Sequence, residues 1–224
     1  AQQTLTRQAR DPIAAQERFL LELVRVHQGT ELGQQFGLRD IRTVEAFRER
    51  VPIWSYNDYE PYMERIAQGE PNVLNPEPVA YINLTSGTTG KQKMVPVTRR
   101  FQQILGRANA ASFGFSLTAL RRHSSRDRPL EFGKLMATNS VRLQGRTAAG
   151  IEYGPVTAGS YRMNRRICEL AFAHPYQAME IKDILARHYV CLLFGLCHSQ
   201  IRGLSASFPM LVLQICRYLE ECAE

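Results

Sequence analysis

The chain has 224 residues, enough for one sizeable hydrophobic core or for a large piece of a bigger domain. Hydrophobic residues make up 44% of the chain and charged residues 22%, so most of it should fold rather than stay disordered. The net charge of +7 is compatible with nucleic acid and equally with small anions. The longest apolar run, residues 189–197, is far shorter than the roughly 20 residues of a membrane-spanning helix, so no membrane span is expected.

Neither the N-terminus nor the cysteines and histidines point to export or to a metal site. The first residues lack the apolar stretch of a signal peptide, so a cytoplasmic location is expected, and Ala1 in place of Met indicates a processed or cut start. The cysteines are odd in number and lack a Cys-x-x-Cys pair, so we expect buried reduced thiols rather than zinc ligands or disulfides. They are Cys168, Cys191, Cys197, Cys216 and Cys222. The five histidines lack ligand spacing, and no metal site is predicted.

A first helix is predicted between Asp11 and Gly29. Asp11 can cap its N-terminus, and Pro12 suits the first turn because no backbone N–H is needed there. Apolar residues recur at helical spacing and are expected to form the buried face. They are Ile13, Phe19, Leu20, Leu23 and Val24. A short helix over residues 44–50 should follow and end before Pro52.

The next elements lead into the most informative part of the chain. Ser55 and Asp58 have the spacing of a helix N-cap with an acid in the first turn, which predicts a helix reaching Gly69. Residues 79–84 and 94–97 are predicted as strands. The later predictions are a helix over 100–120, a strand over 133–137, a loop over 139–162, a helix over 177–188, a strand over 189–194 and a helix over 208–221. This alternation of helices with short strands predicts an α/β fold.

The segment between the strands 79–84 and 94–97 combines the features of an anion-binding loop. Gly87 and Gly90 allow the backbone to approach a ligand closely, and successive N–H groups in such a turn can hold an anion. Lys91 and Lys93 add positive charge beside it. Hydroxyl donors come from Thr85, Ser86, Thr88 and Thr89. The segment therefore predicts a polyphosphate ligand.

Two well-known phosphate motifs do not fit this segment. A Walker A loop would need glycine at position 85, where this chain has Thr85. A dinucleotide fingerprint would need three glycines in the pattern Gly-x-Gly-x-x-Gly, and only Gly87 and Gly90 are present. A flexible hairpin loop between two strands is the purely structural alternative.

Residues Thr85 to Lys93 resemble the phosphate-binding loop of the adenylate-forming superfamily. The flanking residues are more specific and resemble the GH3 family of acyl-acid amido synthetases, with bacterial rather than plant-like details. These flanks are Phe47-x-x-x-Val51-Pro52, Tyr56-x-Asp58-Tyr59-x-Pro61-Tyr62, Ile66-x-x-Gly69 and Pro96-Val97-Thr98. Residues 189–196 and 208–219 resemble a later section of the same family. The resemblance spans roughly residues 40 to 220.

The resemblance implies the N-terminal part of the large domain of an adenylate-forming enzyme, with helices packed around short β-strands. It also implies that ATP, with Mg²⁺, and a small carboxylic acid form an acyl-adenylate, whose AMP an amino acid then displaces to give an amide. By the same analogy, residues 85–90 would hold the β- and γ-phosphates, and Lys91 or Lys93 would neutralise departing pyrophosphate. Such chemistry needs positioning and charge stabilisation rather than a side-chain nucleophile, so no catalytic residue is predicted.

The resemblance also implies that residues 1–224 form only a partial large domain. The family's adenine, ribose and Mg²⁺ motifs and its small C-terminal domain would lie beyond residue 224. We therefore expect weak nucleotide binding and little or no turnover by these residues alone. Self-association is expected through apolar surface that further chain would cover.

A second loop, residues 150–161, matches a stretch near the acyl pocket of GH3 proteins. Tyr153, Thr157 and Ser160 are therefore candidates to line a substrate pocket, and a structural turn is the alternative. The arginine that plant members use to pair with the substrate acid would fall near Ser112, and the nearest arginine is Arg107. The acid substrate is therefore left open.

The basic charge supports a function of another class, a non-catalytic nucleotide- or nucleic-acid-binding module. The densest group of arginines surrounds residues 124–125 in a predicted loop. It consists of Arg121, Arg122, Arg126 and Arg128. No aromatic residue is interleaved with it, which argues against a surface that stacks single-stranded nucleic acid.

Overall fold

A computed structural model describes residues 1–85, 92–123 and 133–222. These residues divide into two compact units. Unit 1 comprises the described residues up to 123 together with residues 146–152, and unit 2 comprises residues 133–145 and 153–222. Helices combined with short strands make an α/β structure, which confirms the predicted fold class.

Unit 1 is mainly helical and carries one antiparallel strand pair. Its helices are α1 (Gln2–Gln8), α2 (Pro12–His27), α3 (Glu31–Gln35), α4 (Val44–Arg50), α5 (Tyr56–Ala67) and α6 (Arg99–His123). Its strands are β1 (Val79–Thr85) and β2 (Lys93–Thr98). The predicted helices at 11–29, 44–50, 55–69 and 100–120 and both predicted strands are confirmed.

Local capping explains why the first predictions hold. The Asp11 carboxylate accepts the Ala14 N–H at 3.1 Å and starts α2 as predicted. The predicted buried face is only partly right, because Val24 is buried whereas Ile13 and Phe19 are exposed. Helix α4 and the turn at residues 38–40 pack on α2, and Val24 is its one residue that is fully buried.

Helix α5 has the predicted N-terminal cap and a glycine that ends it. The Asp58 carboxylate accepts the Ser55 N–H at 2.7 Å and the Ser55 hydroxyl at 2.8 Å. These two hydrogen bonds hold the pKa of Asp58 below its ordinary value of 3.8. Gly69 follows α5 with φ +93°, and a Cβ there would lie 2.7 Å from the Ala149 Cβ. Glycine is therefore required at this position by both conformation and space.

Strands β1 and β2 form an antiparallel hairpin in the register Asn83 opposite Val95 and Thr85 opposite Lys93. Tyr81 and Ile82 of β1 are almost fully buried. Helix α6 starts directly after β2. The hydroxyl of Thr98, the last residue of β2, accepts the Phe101 N–H at 3.2 Å and so caps this start.

Unit 2 is built around two parallel strands. Its elements are β3 (Lys134–Ala137), β5 (Glu152–Pro155, from Tyr153 onward), α7 (Val156–Met163), α8 (Arg165–Ala171), α9 (Ile184–Leu196), β6 (Ile201–Ser205) and α10 (Pro209–Cys222), with β4 (Gly145–Arg146) shared with unit 1. The register of β3 and β6 places Ala137 opposite Ser205. The core on one side contains Val141, Phe172 and Met179.

Three predictions in unit 2 are wrong. Residues 139–162 are not one loop, because they contain β4, β5 and most of α7, whose Ala158 and Gly159 are buried. The predicted helix over 177–188 and strand over 189–194 are replaced by a 3-10 turn at Tyr176–Glu180 and by the single helix α9. An apolar run such as residues 189–194 does not distinguish a strand from a helix by pattern, and here it belongs to a helix that Asp183 caps.

The last helix, α10, is confirmed, with Ile215 buried on its predicted apolar face. The expected burial of the cysteines is right for Cys168 and Cys191 and wrong for Cys197 and Cys216, which are exposed. Arg121 and Arg122 lie in the last turn of α6 rather than in a loop, and the rest of that arginine group falls outside the described residues. Among the residues that the structure describes, no helix is both long enough and apolar enough to cross a bilayer.

Candidate functional site

The predicted phosphate-binding loop is the segment that connects β1 to β2 in the sequence. Six of its eight predicted ligand residues, Ser86 to Lys91, lie outside the described residues. The other two mark its base, since Thr85 ends β1, Lys93 begins β2 and the two are paired across the hairpin. The backbone pairing therefore fixes the two points from which the loop starts and to which it returns.

Tyr56, the first residue of α5, anchors this base from the outside. Its hydroxyl accepts the Met94 N–H at 2.7 Å and lies 3.3 Å from the Met94 carbonyl oxygen, to which it can donate. The Lys93 ammonium lies 5.3 Å from the centroid of the Tyr56 ring, within the range of a cation–π contact. A positive charge is thereby kept beside the base of the loop.

Asn83 is a polar residue near this base that the sequence analysis did not single out. Asn83 lies two residues from Tyr81 and two residues from Thr85 along β1, so the three side chains share one face of the strand. Asn83 is only 8% exposed, and its side-chain oxygen is buried and lacks a hydrogen-bond partner within the described residues. Buried acceptors are normally satisfied, so this oxygen is a candidate acceptor next to the loop.

Unit 2 carries a second group of polar side chains, at the carboxyl ends of β3 and β6. We call Asn139, Thr157, Tyr161 and Ser207 the polar cluster. The side-chain amide nitrogen of Asn139 donates to the Tyr161 hydroxyl at 2.8 Å. The Ser207 hydroxyl lies 3.5 Å from the side-chain oxygen of Asn139 and 3.4 Å from the Thr157 hydroxyl. Ligands of α/β proteins commonly bind beyond the carboxyl ends of parallel strands, so this is the natural place for a substrate in unit 2.

Burial sets the electrostatics of the polar cluster. Asn139 is 6% exposed, and Tyr161 packs edge-on against Phe172. Burial raises the pKa of Tyr161 above its ordinary value of 10.0, although its hydrogen bonds with Asn139 and Ser205 oppose that rise. The phenol therefore stays neutral at physiological pH and can both donate and accept.

Only one of the three predicted pocket residues belongs to the polar cluster. Thr157 does, through its contact with Ser207. Tyr153 instead lies against Gly145, where a Cβ would meet its hydroxyl at 2.7 Å, and the backbone carbonyl of Ser160 accepts from the Asn164 side chain. Sequence reasoning missed Asn139 and Ser207, because their proximity depends on the parallel pairing of β3 with β6, and β6 was not predicted.

A cluster of metal-ligating side chains is absent from the part of the chain that the structure describes. The described residues contain no group of three or more His, Cys, Asp or Glu side chains that could hold a metal ion. Glu152 forms an ion pair with Arg146 at 2.5 Å. Mg²⁺ therefore stays an expectation that rests on the resemblance.

Comparison with known proteins agrees with this geometry. The family model of the GH3 family N-terminal domain matches residues 1–224, the whole chain. The chain belongs to the GH3 family. The resemblance found in the loop and its flanks is thereby confirmed at the level of the family.

Several relatives of this GH3 chain are plant enzymes. It is 29% identical over 218 residues to jasmonoyl–L-amino acid synthetase JAR6 of Nicotiana attenuata, covering 93% of this chain and 36% of that protein. It is 28% identical over 222 residues to indole-3-acetic acid-amido synthetase GH3.10 of Arabidopsis thaliana, covering 92% and 36%. The chain thus spans little more than a third of these relatives, and they give no support to the expected bacterial-type details.

A solved structure shows the same fold. AtGH3.15 acyl acid amido synthetase in complex with 2,4-DB superposes with a TM-score of 0.75 at 24% identity, covering 92% of this chain and 35% of that one. The α/β arrangement described above is therefore also found within a larger GH3 enzyme.

Proposed function

We propose that this chain is the phosphate-binding and acid-binding part of an ATP-dependent acyl acid amido synthetase. The observation that carries the proposal is the β1–β2 hairpin, which presents the predicted loop between the paired residues Thr85 and Lys93. Family membership supports the amide-forming class, because the relatives named above are amido synthetases. The use of ATP and the adenylate intermediate are the steps that the proposal adds.

The proposed role of unit 1 is to hold the triphosphate of ATP. Backbone N–H groups and hydroxyls of residues 85–90 would bind the β- and γ-phosphate oxygens. Lys91, or Lys93 on its Tyr56 platform, would offset the charge that grows on pyrophosphate as the acid's carboxylate attacks the α-phosphorus. An amino acid amine would then displace AMP from the acyl group.

The proposed role of unit 2 is to bind the small carboxylic acid. The polar cluster offers hydroxyl donors from Thr157, Tyr161 and Ser207 at the carboxyl ends of its parallel strands. Hydrogen bonds to hydroxyls suit a carboxylate oxygen, and Thr157 is the residue that the sequence also predicted there. Tyr153 and Ser160 stay predictions that the contacts described here do not support.

We further propose that these residues bind ATP without completing the reaction and that they self-associate. Leu185, Tyr189 and Leu193 form an apolar stripe on α9 at helical spacing, and each is about half exposed. Phe208 and Met210 near the start of α10 are also exposed. Two copies could bury such surface against each other, which sedimentation at rising concentration would detect.

Acid-dependent exchange of labelled pyrophosphate into ATP tests the chemistry. We expect ATP·Mg²⁺ to bind to this chain while exchange, with indole-3-acetate as the acid, stays at the level of a Gly87→Val, Lys91→Ala variant. Exchange well above that variant would show that adenylation needs nothing beyond these residues and would contradict the proposed incompleteness. If this variant bound ATP·Mg²⁺ as tightly as the unmodified chain, that result would contradict the phosphate-loop assignment itself.

A further inference from the structure

A buried arginine lies behind the polar cluster of unit 2. Arg187 of α9 is only 8% exposed. Its Nε donates to the Thr138 carbonyl oxygen at 3.0 Å, and its Nη1 donates to the Ile181 carbonyl oxygen at 2.9 Å. The guanidinium thus joins the residue that follows β3 to the residue that follows the 3-10 turn.

This cation lacks the partner that buried charges usually have. Within the described residues no carboxylate forms an ion pair with Arg187. The Asp183 carboxylate accepts the Ala186 N–H at 2.7 Å, and its charge offsets only a smaller part of the effect of burial on Arg187. Burial lowers the pKa of Arg187 below its ordinary value, which reflects the cost of keeping the charge inside the protein. A neutral side chain would avoid that cost, so the arginine's fixed fork of donors must matter for what it holds.

What Arg187 holds is the start of the polar cluster. Thr138, whose carbonyl it binds, immediately precedes Asn139, and the Thr138 hydroxyl is buried without a partner in the described chain. The side-chain nitrogen of Asn139 in turn donates to the Tyr161 hydroxyl, and the side-chain oxygen of Asn139 faces the Ser207 hydroxyl. A rotation of the peptide after β3 would therefore move Asn139 away from both neighbours.

We propose that Arg187 is a positioning residue that fixes the backbone after β3 and thereby orients Asn139 within the acid-binding polar cluster. That the cluster binds an acid rests on the proposed function, whereas the orientation of Asn139 rests on the hydrogen bonds described above. Arg187 acts through the Thr138 carbonyl and does not itself contact substrate.

The test separates this role from a general contribution to stability. Arg187→Met removes both donors, Arg187→Lys keeps a charge that can reach one carbonyl at a time, and Leu192→Ala removes buried volume from the same helix. Two readouts are compared, the NMR signals of the Asn139 side-chain amide, assigned with Asn139→Asp, and the affinity for 2,4-DB by calorimetry. The named acid is the one bound by the relative AtGH3.15.

Arg187→Met should displace the Asn139 amide signals and weaken 2,4-DB binding by about tenfold, the effect of losing roughly one hydrogen bond to the ligand. Arg187→Lys should give intermediate values of both. Leu192→Ala should lower stability while leaving the Asn139 signals in place. If Arg187→Met does not fold, the Arg187→Lys signals decide, since unchanged Asn139 signals there would overturn the proposal.

Two results would separate the inference from the proposed function. If the Asn139 signals move equally in Leu192→Ala and Arg187→Met, the positioning role is overturned, whatever the measured affinity for 2,4-DB. Failure of the unmodified chain to bind 2,4-DB, with Asn139 displaced only in the Arg187 variants, would support the positioning of Asn139 and contradict this cluster as a site for that acid.

Discussion

The hydroxyl of Tyr56 contacts both backbone polar groups of Met94, accepting its N–H at 2.7 Å and lying 3.3 Å from its carbonyl oxygen. Met94 pairs with Leu84 across the hairpin, and β2 is the outer strand of that pair. In an antiparallel ladder both polar groups of a residue point to the same side, here away from β1. Tyr56 therefore satisfies the open edge of β2 one residue after Lys93.

Tyr56→Phe should destabilise unit 1 by about 1–2 kcal/mol, because it leaves a part-buried N–H and C=O of Met94 without partners. It should also weaken ATP·Mg²⁺ binding, since the base of the loop loses its anchor. Urea unfolding and calorimetry measure the two effects. Tyr59→Phe is the matched control, because Tyr59 lies on the same helix as Tyr56 but packs edge-on against Trp54. Its hydroxyl forms no hydrogen bond to Met94 among the described contacts. Equal losses in both variants would contradict an anchoring role for the Tyr56 hydroxyl.

The N-terminal cap of α5 should give a pH-dependent contribution to stability. The pKa of Asp58 is lowered in the folded chain, so its contribution is present above 3.8 and is lost as the pH falls through the folded value. Asp58→Asn should therefore reduce the free energy of unfolding at pH 7, and the difference should shrink toward pH 3. Glu64→Gln on the same helix is the control. A difference that stays constant from pH 7 to pH 3 would contradict the cap.

Two buried histidines should make unit 2 sensitive to mild acid. Burial lowers the pKa of His174, which stacks on Phe172, and that of His188 below the ordinary value of 6.5. The unfolded chain therefore binds more protons, and stability should fall as the pH drops from about 6.5. The slope for one histidine is at most about 1.4 kcal/mol per pH unit.

His174→Gln should flatten the dependence of the unfolding free energy on pH between 7 and 5, whatever its effect on stability at pH 7. His188→Gln should act in the same direction, and the double variant should be flatter than either. Urea titrations at half-unit steps of pH measure these slopes. Unchanged slopes in the double variant would show that neither histidine is kept neutral by burial.

Four of the five cysteines, those whose side chains the structure describes, should divide into two classes by reactivity. Burial raises the pKa of Cys191 to about 11, and Cys168 is also buried with a raised pKa. Cys197 and Cys216 are exposed. N-ethylmaleimide at pH 7.5 should therefore label the exposed pair in the folded chain and the buried pair only in urea, because the thiolate is the reactive form. Labelling of Cys191 before unfolding, detected by peptide mass spectrometry, would contradict its burial in the core.

The sequence predicted most of unit 1 because its signals are local. Asp11, Ser55 and Asp58 act within one helical turn, and the loop after Thr85 carries its chemistry in consecutive residues. Unit 2 was predicted poorly because its structure depends on distant pairing. The parallel contact of β3 with β6 joins residues more than 60 positions apart, and that contact brings the segment of Asn139 near that of Ser207.

The apolar segment at residues 189–196, which belongs to α9, shows a second limit of prediction from sequence. Residues 189–196 are apolar without a clear period, a pattern that does not distinguish a buried strand from a helix. The structure makes them helical because Asp183 caps the chain and Arg187 and His188 turn inward with Cys191. An arginine and a histidine facing the core contradict the usual polar-out pattern, so no periodic signal could have identified them.

The central claim is that residues 85–91 and Lys93 bind the phosphates of ATP. Calorimetry of ATP·Mg²⁺ with the unmodified chain and with a Gly87→Val, Lys91→Ala variant tests it most directly, because both changes lie in the loop and neither lies in the described core. Our account predicts weak binding by the unmodified chain, competed by pyrophosphate and lost in the variant. Binding of equal strength by both proteins would contradict it.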